Sequence, residues 1–150
     1  MKPTPKGWPR MCASVYYDDP AAAIDWLCRA FGFEVRLKVE GEGGRIEHSE
    51  LTFGEAVVMV SPIKRDKGYN ESFASPRQVS GKNTQALCFF VDDADQHCAQ
   101  ARETGAVIGM DPETHDYGDD FWVDRTYQAI DPEGHCWWFL QRLRDPANRA

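Results

Sequence analysis

Apolar and polar positions along this chain follow one order of periods, and they follow it twice. MCASVYYDD (11–19) has the β-branched, aromatic and small residues of a strand. In PAAAIDWLCRAFGF (20–33), Ile24, Leu27, Cys28 and Phe31 recur at helical spacing and give one apolar face. Asp19 is placed to cap that helix, Pro20 to occupy its first turn and Gly32 to end it. Strand-like runs follow at 33–40 and 45–53, separated by the turn GEGG (41–44). Gly54 and Glu55 then turn the chain into AVVMVS (56–61), a fourth strand.

The order returns after residue 83. TQALCFFVDD (84–93) is strand-like and ends on two aspartates, as the first strand does. ADQHCAQARETGA (94–106) reads as a helix closed by Gly105, with a short strand expected near 106–110 and a longer one at 121–130. The turn DPEG (131–134) leads into HCWWFLQ (135–141). Such an internal repeat predicts one domain over 1–150, made of two βαβββ modules at 10–62 and 84–143. Between them IKRDKGYNESFASPRQVSGKN (63–83) is polar and too long for a hairpin loop; it reads as a linker, or as a lid over a cavity mouth.

Strand alternation sorts side chains onto two faces. Leu51 and Phe53 are assigned beneath the helices, which leaves Ile46, His48, Glu50 and Thr52 opposite. The same split groups Arg125, Tyr127 and Ala129, and groups Cys136, Trp138 and Leu140. His48, Glu50, Arg125 and Tyr127 are costly to bury in an apolar layer, so this face is expected to line a wet pocket with Met59, Val57 and Trp138 as its floor. Two plainer arrangements stay open: a face open to bulk solvent, or a structural Glu50–Arg125 pair. His48 beside Glu50 also supplies acid–base capacity near neutral pH.

Charge narrows the partners. The 150 residues carry a net charge of −7, which disfavours nucleic acid and anionic membrane, both of which need clustered Lys and Arg. There is no run of apolar residues long enough to span a bilayer, and MKPTPKGWPR lacks the apolar stretch of a signal peptide, so a cytoplasmic address is expected. Five widely spaced cysteines without a Cys-x-x-Cys pair read as buried free thiols.

With the duplication, YYDDPAAAIDWLCRAFGFE (16–34), VDDADQHCAQARETGA (91–106) and DPEGHCWWFLQ (131–141) resemble the vicinal oxygen chelate superfamily, which includes glyoxalase I, extradiol dioxygenases and bleomycin-resistance proteins. EHSELTFGEAVVMVSP (47–62) is similar to its PhnB-like branch. The resemblance implies an α+β fold in which two tandem βαβββ modules form a curved mixed sheet around a cavity, with helices on the outer face. It also implies homodimers. The positions where the superfamily's enzymes carry metal ligands fall, by count from the shared landmarks, on Cys12, Met59, Ala86 and Trp138. That set does not suit divalent metal, so neither metal nor cofactor is expected.

The function expected is therefore metal-free binding of an organic small molecule, cationic or aromatic, as in the bleomycin-resistance branch. Tyr16, Met59, Phe90, Trp122, Arg125, Tyr127 and Trp138 are the candidate ligand-binding residues, with Tyr117 as a further stacking surface and Glu50 and Asp124 supplying charge. Whether the protein is an enzyme stays open. One alternative is a metal-independent lyase or isomerase with His48 or Glu50 as acid–base and Arg125 or Tyr127 steadying an oxyanion. Another is a non-catalytic dimeric interaction module.

Overall fold

Each module begins where an aspartate stops a strand and starts a helix. Asp19 accepts a hydrogen bond from the Ala22 amide at 3.1 Å and caps α1 (Pro20–Phe31), which ends on Gly32 at φ 76°. Asp93 accepts from the Gln96 amide at 2.9 Å and caps α2 (Ala94–Glu103). The computed structural model describes residues 1–63 and 72–146, and the chain divides into two compact units, Met1–Gly81 and Lys82–Ala150.

In the first unit β1 (Ala13–Tyr17), β2 (Glu34–Glu40), β3 (Ile46–Phe53) and β4 (Ala56–Pro62) form one mixed sheet in the order β1-β4-β3-β2. β1 and β4 run parallel, and the other neighbours are antiparallel. The second unit repeats this with β5 (Leu87–Phe90), β6 (Val107–Asp116), β7 (Val123–Ile130) and β8 (Cys136–Arg144), in the order β5-β8-β7-β6. The two helices and two four-stranded mixed sheets make an α+β fold of two tandem βαβββ modules.

The core of the first unit is the apolar stripe of α1 (Ile24, Leu27, Ala30, Phe31) with Val15, Tyr17, Leu51, Val58 and Val60. Ser49 joins that layer because its hydroxyl donates to the Val60 carbonyl at 2.6 Å. In the second unit Ala94, Cys98 and Ala101 of α2 are buried, as are Phe89, Tyr127, Ala129, Trp137 and Phe139 of the sheet. Burial pushes the thiols of Cys28, Cys88, Cys98 and Cys136 up, which keeps them protonated.

One strand is longer than the pattern predicts. β6 was expected to end near 110 and continues to Asp116, past Pro112. It is an edge strand, and its pairing with β7 shifts register between Met110 and Glu113, so proline's missing N–H costs no ladder bond there. Residues 64–71 of the expected 63–83 linker lie outside the described residues. The rest of it packs on its own unit: Phe73 stacks on Tyr16 at 4.3 Å, and Gln78 donates to Asp18 at 2.7 Å.

Candidate functional site

The face of the first sheet away from α1 is built around Glu50. Leu51 and Ser49 point to the helix layer, so alternation sends Glu50 and His48 to the other side. Glu50 is only 6% exposed, yet it has two partners. His48 Nε2 lies 3.0 Å from Glu50 Oε1, and Arg36 Nε lies 3.2 Å from Glu50 Oε2. A buried carboxylate needs such company, because an unpaired charge there would be strongly destabilising.

Arg36 is not among the residues singled out from sequence, since which side chain of β2 meets Glu50 depends on the register of its pairing with β3. β2 pairs Glu34 with Thr52 and Val35 with Leu51, a register that brings Arg36 opposite Glu50 and onto its face, and a bulge then sets Leu37 against Glu50 as well. That register is a property of the β2–β3 pairing, so nothing in the β2 sequence alone announces it. Arg36 also donates through Nη1 to the Gly7 carbonyl at 2.6 Å and lies over the Trp8 ring at 4.5 Å.

Tyr16 and Met59 share this face, because β1 pairs Ser14 with Met59 and Tyr16 with Ser61 while Val15 and Tyr17 are buried on the helix side. Ser14 and Ser61 hydroxyls lie 3.2 Å apart across the same ladder. His48, Glu50, Tyr16 and Met59 are therefore brought to one surface, with Arg36 and Trp8 added by the fold.

The second sheet requires a correction. Arg125 and Tyr127 were expected opposite the helix, and both lie beneath it. Tyr127 is fully buried, and its hydroxyl is 2.5 Å from His97 Nδ1 of α2. Arg125 makes a two-pronged contact with Asp95 of α2, at 2.6 and 2.7 Å. Arg125 is thus not the partner of Glu50. α2 is the reason: its sheet-facing side carries Asp95 and His97, so the strand beneath it needs polar side chains there. Burial pushes the Tyr127 phenol well above its ordinary range, and the Arg125 hydrogen bond holds the Asp95 carboxyl low. Neither the buried phenol nor the bound guanidinium is placed to steady an oxyanion.

The face away from α2 carries Asp124, Thr126, Gln128 and Trp138 instead, with Gln128 paired to Trp138 across β7 and β8. Asp124, expected to offer a free charge, is buried and accepts from Arg142 Nε at 2.5 Å. Arg142 lies over the rings of Phe90 and Trp122 at 5.3 and 5.4 Å, and Tyr117 packs against Trp122 at 5.9 Å. Phe90 is 60% exposed.

Met59 lies in β4 with Cys12 one residue before β1, and Trp138 lies in β8 with Ala86 one residue before β5. The ladders pair Ser14 with Met59 and Cys88 with Trp138, so each first position stands two residues before its strand's paired residue. A thiol, a thioether, a methyl and an indole do not fit Mg²⁺, Mn²⁺, Ni²⁺, Zn²⁺ or Fe²⁺. Among the described residues no three His, Cys, Asp or Glu side chains gather into a group that could hold an ion.

This geometry agrees with what the chain resembles. The model of the Glyoxalase/Bleomycin resistance protein/Dioxygenase superfamily matches residues 11–139, and the chain belongs to that superfamily. Among solved structures it is similar to TioX from Micromonospora sp. ML1, with 31% identity over 90% of this chain and 99% of that one, at a TM-score of 0.69. TnmS3 of Streptomyces sp. CB03234, described as an antibiotic binding protein, shares the fold at 19% identity and TM-score 0.61, over 87% and 93% of the two chains. An uncharacterized protein of Mycobacterium bovis is 27% identical over 137 residues, 91% of this chain and 86% of its own length. These matches do not distinguish the PhnB-like branch. No helix among the described residues is long and apolar enough to cross a membrane.

Proposed function

We propose that this protein binds an organic small molecule on the helix-free face of its sheets, without a metal, as a cytoplasmic homodimer. The observation that carries the reading is Glu50: a carboxylate 6% exposed, on the sheet face away from α1, holding both Arg36 and His48. Polar groups arranged this way beside Met59, Tyr16 and Trp8 have the make-up of a ligand surface, with apolar area for affinity and few polar groups for orientation. The description of TnmS3 as an antibiotic binding protein is consistent with such a use of the fold. Because Glu50 already has two basic partners, the aromatic part of the expected ligand is favoured over the cationic part. The second unit's own face away from α2 offers separate stacking surfaces in Phe90, Trp122 and Trp138, and Arg125 and Tyr127 drop out of the candidate residues.

A metal-independent enzyme is the second reading, favoured by the 3.0 Å contact between His48 Nε2 and Glu50 Oε1. The His48 side chain is 40% exposed, so a proton it takes from a ligand can pass to solvent while Glu50 holds the ring.

Both readings are tested by thermal-shift and calorimetric titration with a panel of planar aromatic and cationic compounds, using wild type and Glu50→Gln. Saturable binding that Glu50→Gln weakens is the expected result. Binding that the substitution leaves unchanged moves the site elsewhere. Turnover of a bound compound, lost in His48→Gln, would favour the enzyme.

A further inference from the structure

The face around Glu50 is not bare. Residues 5–8 form a turn in which the Trp8 amide donates to the Pro5 carbonyl at 3.0 Å, and Gly7 at φ 76° supplies the left-handed residue such a turn requires. Arg36 holds the turn by its last two residues, bonding the Gly7 carbonyl at 2.6 Å and stacking under the Trp8 ring at 4.5 Å. With Nε on Glu50 and Nη1 on Gly7, the guanidinium has committed two of its three nitrogens along its edge. What it still presents is Nη2 and its flat face, and an indole covers that face.

We propose that Trp8 is a built-in occupant of a stacking seat on Arg36, and that a planar aromatic ligand, neutral or anionic, binds by taking the place of the indole. This rests on the small-molecule reading above and names the ligand class for that surface. The ring already in the seat shows which chemistry fits it. The guanidinium face takes a π-system and disfavours a cation laid directly on it, so a neutral or anionic ring suits the seat. A single cation–π contact at a partly exposed arginine is weak enough to exchange. The indole can rotate off about its own side-chain bonds while the turn and its Arg36–Gly7 hydrogen bond stay in place. A ligand that must displace Trp8 binds more weakly by the fraction of molecules whose seat is free.

The probes are 2-naphthoate and 2-naphthylmethylammonium, which share a ring and differ in charge. Titrations use the full chain labelled with ¹⁵N, following the Trp8 indole N–H, assigned by its loss in Trp8→Phe. The expected result is saturable naphthoate binding that moves the Trp8 signal, and binding about tenfold tighter in Trp8→Ala, where the competitor is gone. Trp8→Phe keeps a ring in the seat and should stay near wild type. Arg36→Lys keeps the charge without the plane and should lose the binding, and the ammonium probe should bind at least about tenfold more weakly than the naphthoate.

Naphthoate binding that leaves the Trp8 signal still, or that weakens in Trp8→Ala, would make Trp8 a fixed wall and overturn the proposal. Absence of naphthoate binding in Trp8→Ala would show that there is no seat. If other compounds then still bind in a manner sensitive to Glu50→Gln, only this inference fails. If nothing in the panel does, the small-molecule reading fails with it.

Discussion

Tyr127 and His97 are joined beneath α2 by a hydrogen bond of 2.5 Å, with the phenol fully buried and the imidazole tilted against Phe139 at 4.3 Å between ring centroids. The contact ties β7 to the helix, which makes Tyr127 part of the support of the second unit. It also accounts for a tyrosine in a strand whose neighbouring inward residue, Ala129, is small and apolar.

Tyr127→Phe should therefore destabilise the protein by about 1–2 kcal/mol, read from urea unfolding at pH 7, because a buried partner loses its bond. The phenol's pKa is raised in the folded state, so its contribution is complete below the ordinary phenol range near pH 10. It is lost as pH rises above that, where the unfolded chain ionises first. Wild type should lose stability above about pH 10 more steeply than Tyr127→Phe, whereas the cysteines contribute equally to both and cancel. Equal slopes would mean that the phenol is not held neutral by burial.

Asp131 offers a larger effect. One carboxylate oxygen accepts from the Glu133 and His135 amides at 2.9 and 3.0 Å, and the other accepts from Trp137 Nε1 at 3.1 Å. The DPEG turn is folded around this side chain, and Trp137 is anchored by it. Asp131→Ala removes the acceptor of three hydrogen bonds, two of them buried, and should cost about 3 kcal/mol, visible in calorimetry and as a shift in tryptophan emission. A change below about 1 kcal/mol would show that water replaces the carboxylate freely.

Glu50→Gln separates a ligand surface from a structural ion pair. If Glu50 serves binding, the substitution weakens ligand affinity while stability falls by less than about 3 kcal/mol. A larger loss in chemical denaturation would make the Arg36–Glu50–His48 contacts a structural pair whose breakage exposes an uncompensated charge.

Metal content gives an independent check. Protein dialysed without chelator should carry Ni, Zn, Fe and Mn well below one equivalent by mass spectrometry of the ashed sample. Trp138→Glu restores one carboxylate among Cys12, Met59 and Ala86 and should not raise that content. Stoichiometric metal in wild type would put metal catalysis back in front.

The repeat, the caps and the periods were legible in the sequence because they are local. Asp19, Pro20 and Gly32 mark α1 by backbone chemistry that needs no distant partner, and Asp93 does the same for α2. Alternation along β3 likewise separated Glu50 and His48 from Leu51 correctly, since the apolar members leave no doubt about which side is core. β7 lacks that asymmetry. Arg125 and Tyr127 alternate with Asp124, Thr126 and Gln128, and either set is polar enough to face a pocket. Only the side chains of α2 broke the tie.

What the sequence alone determined is thus the pair of βαβββ modules, the superfamily they resemble, and the four positions whose side chains do not suit a divalent metal. Tertiary structure decided which polar residues share a surface. The register of β2 on β3 delivered Arg36 to Glu50, a turn at Gly7 laid Trp8 over that guanidinium, and α2 took Arg125 and Tyr127 for its own packing. Each of these depends on contacts between residues far apart in the chain, where the free energy of pairing a buried charge or phenol outweighs any local preference.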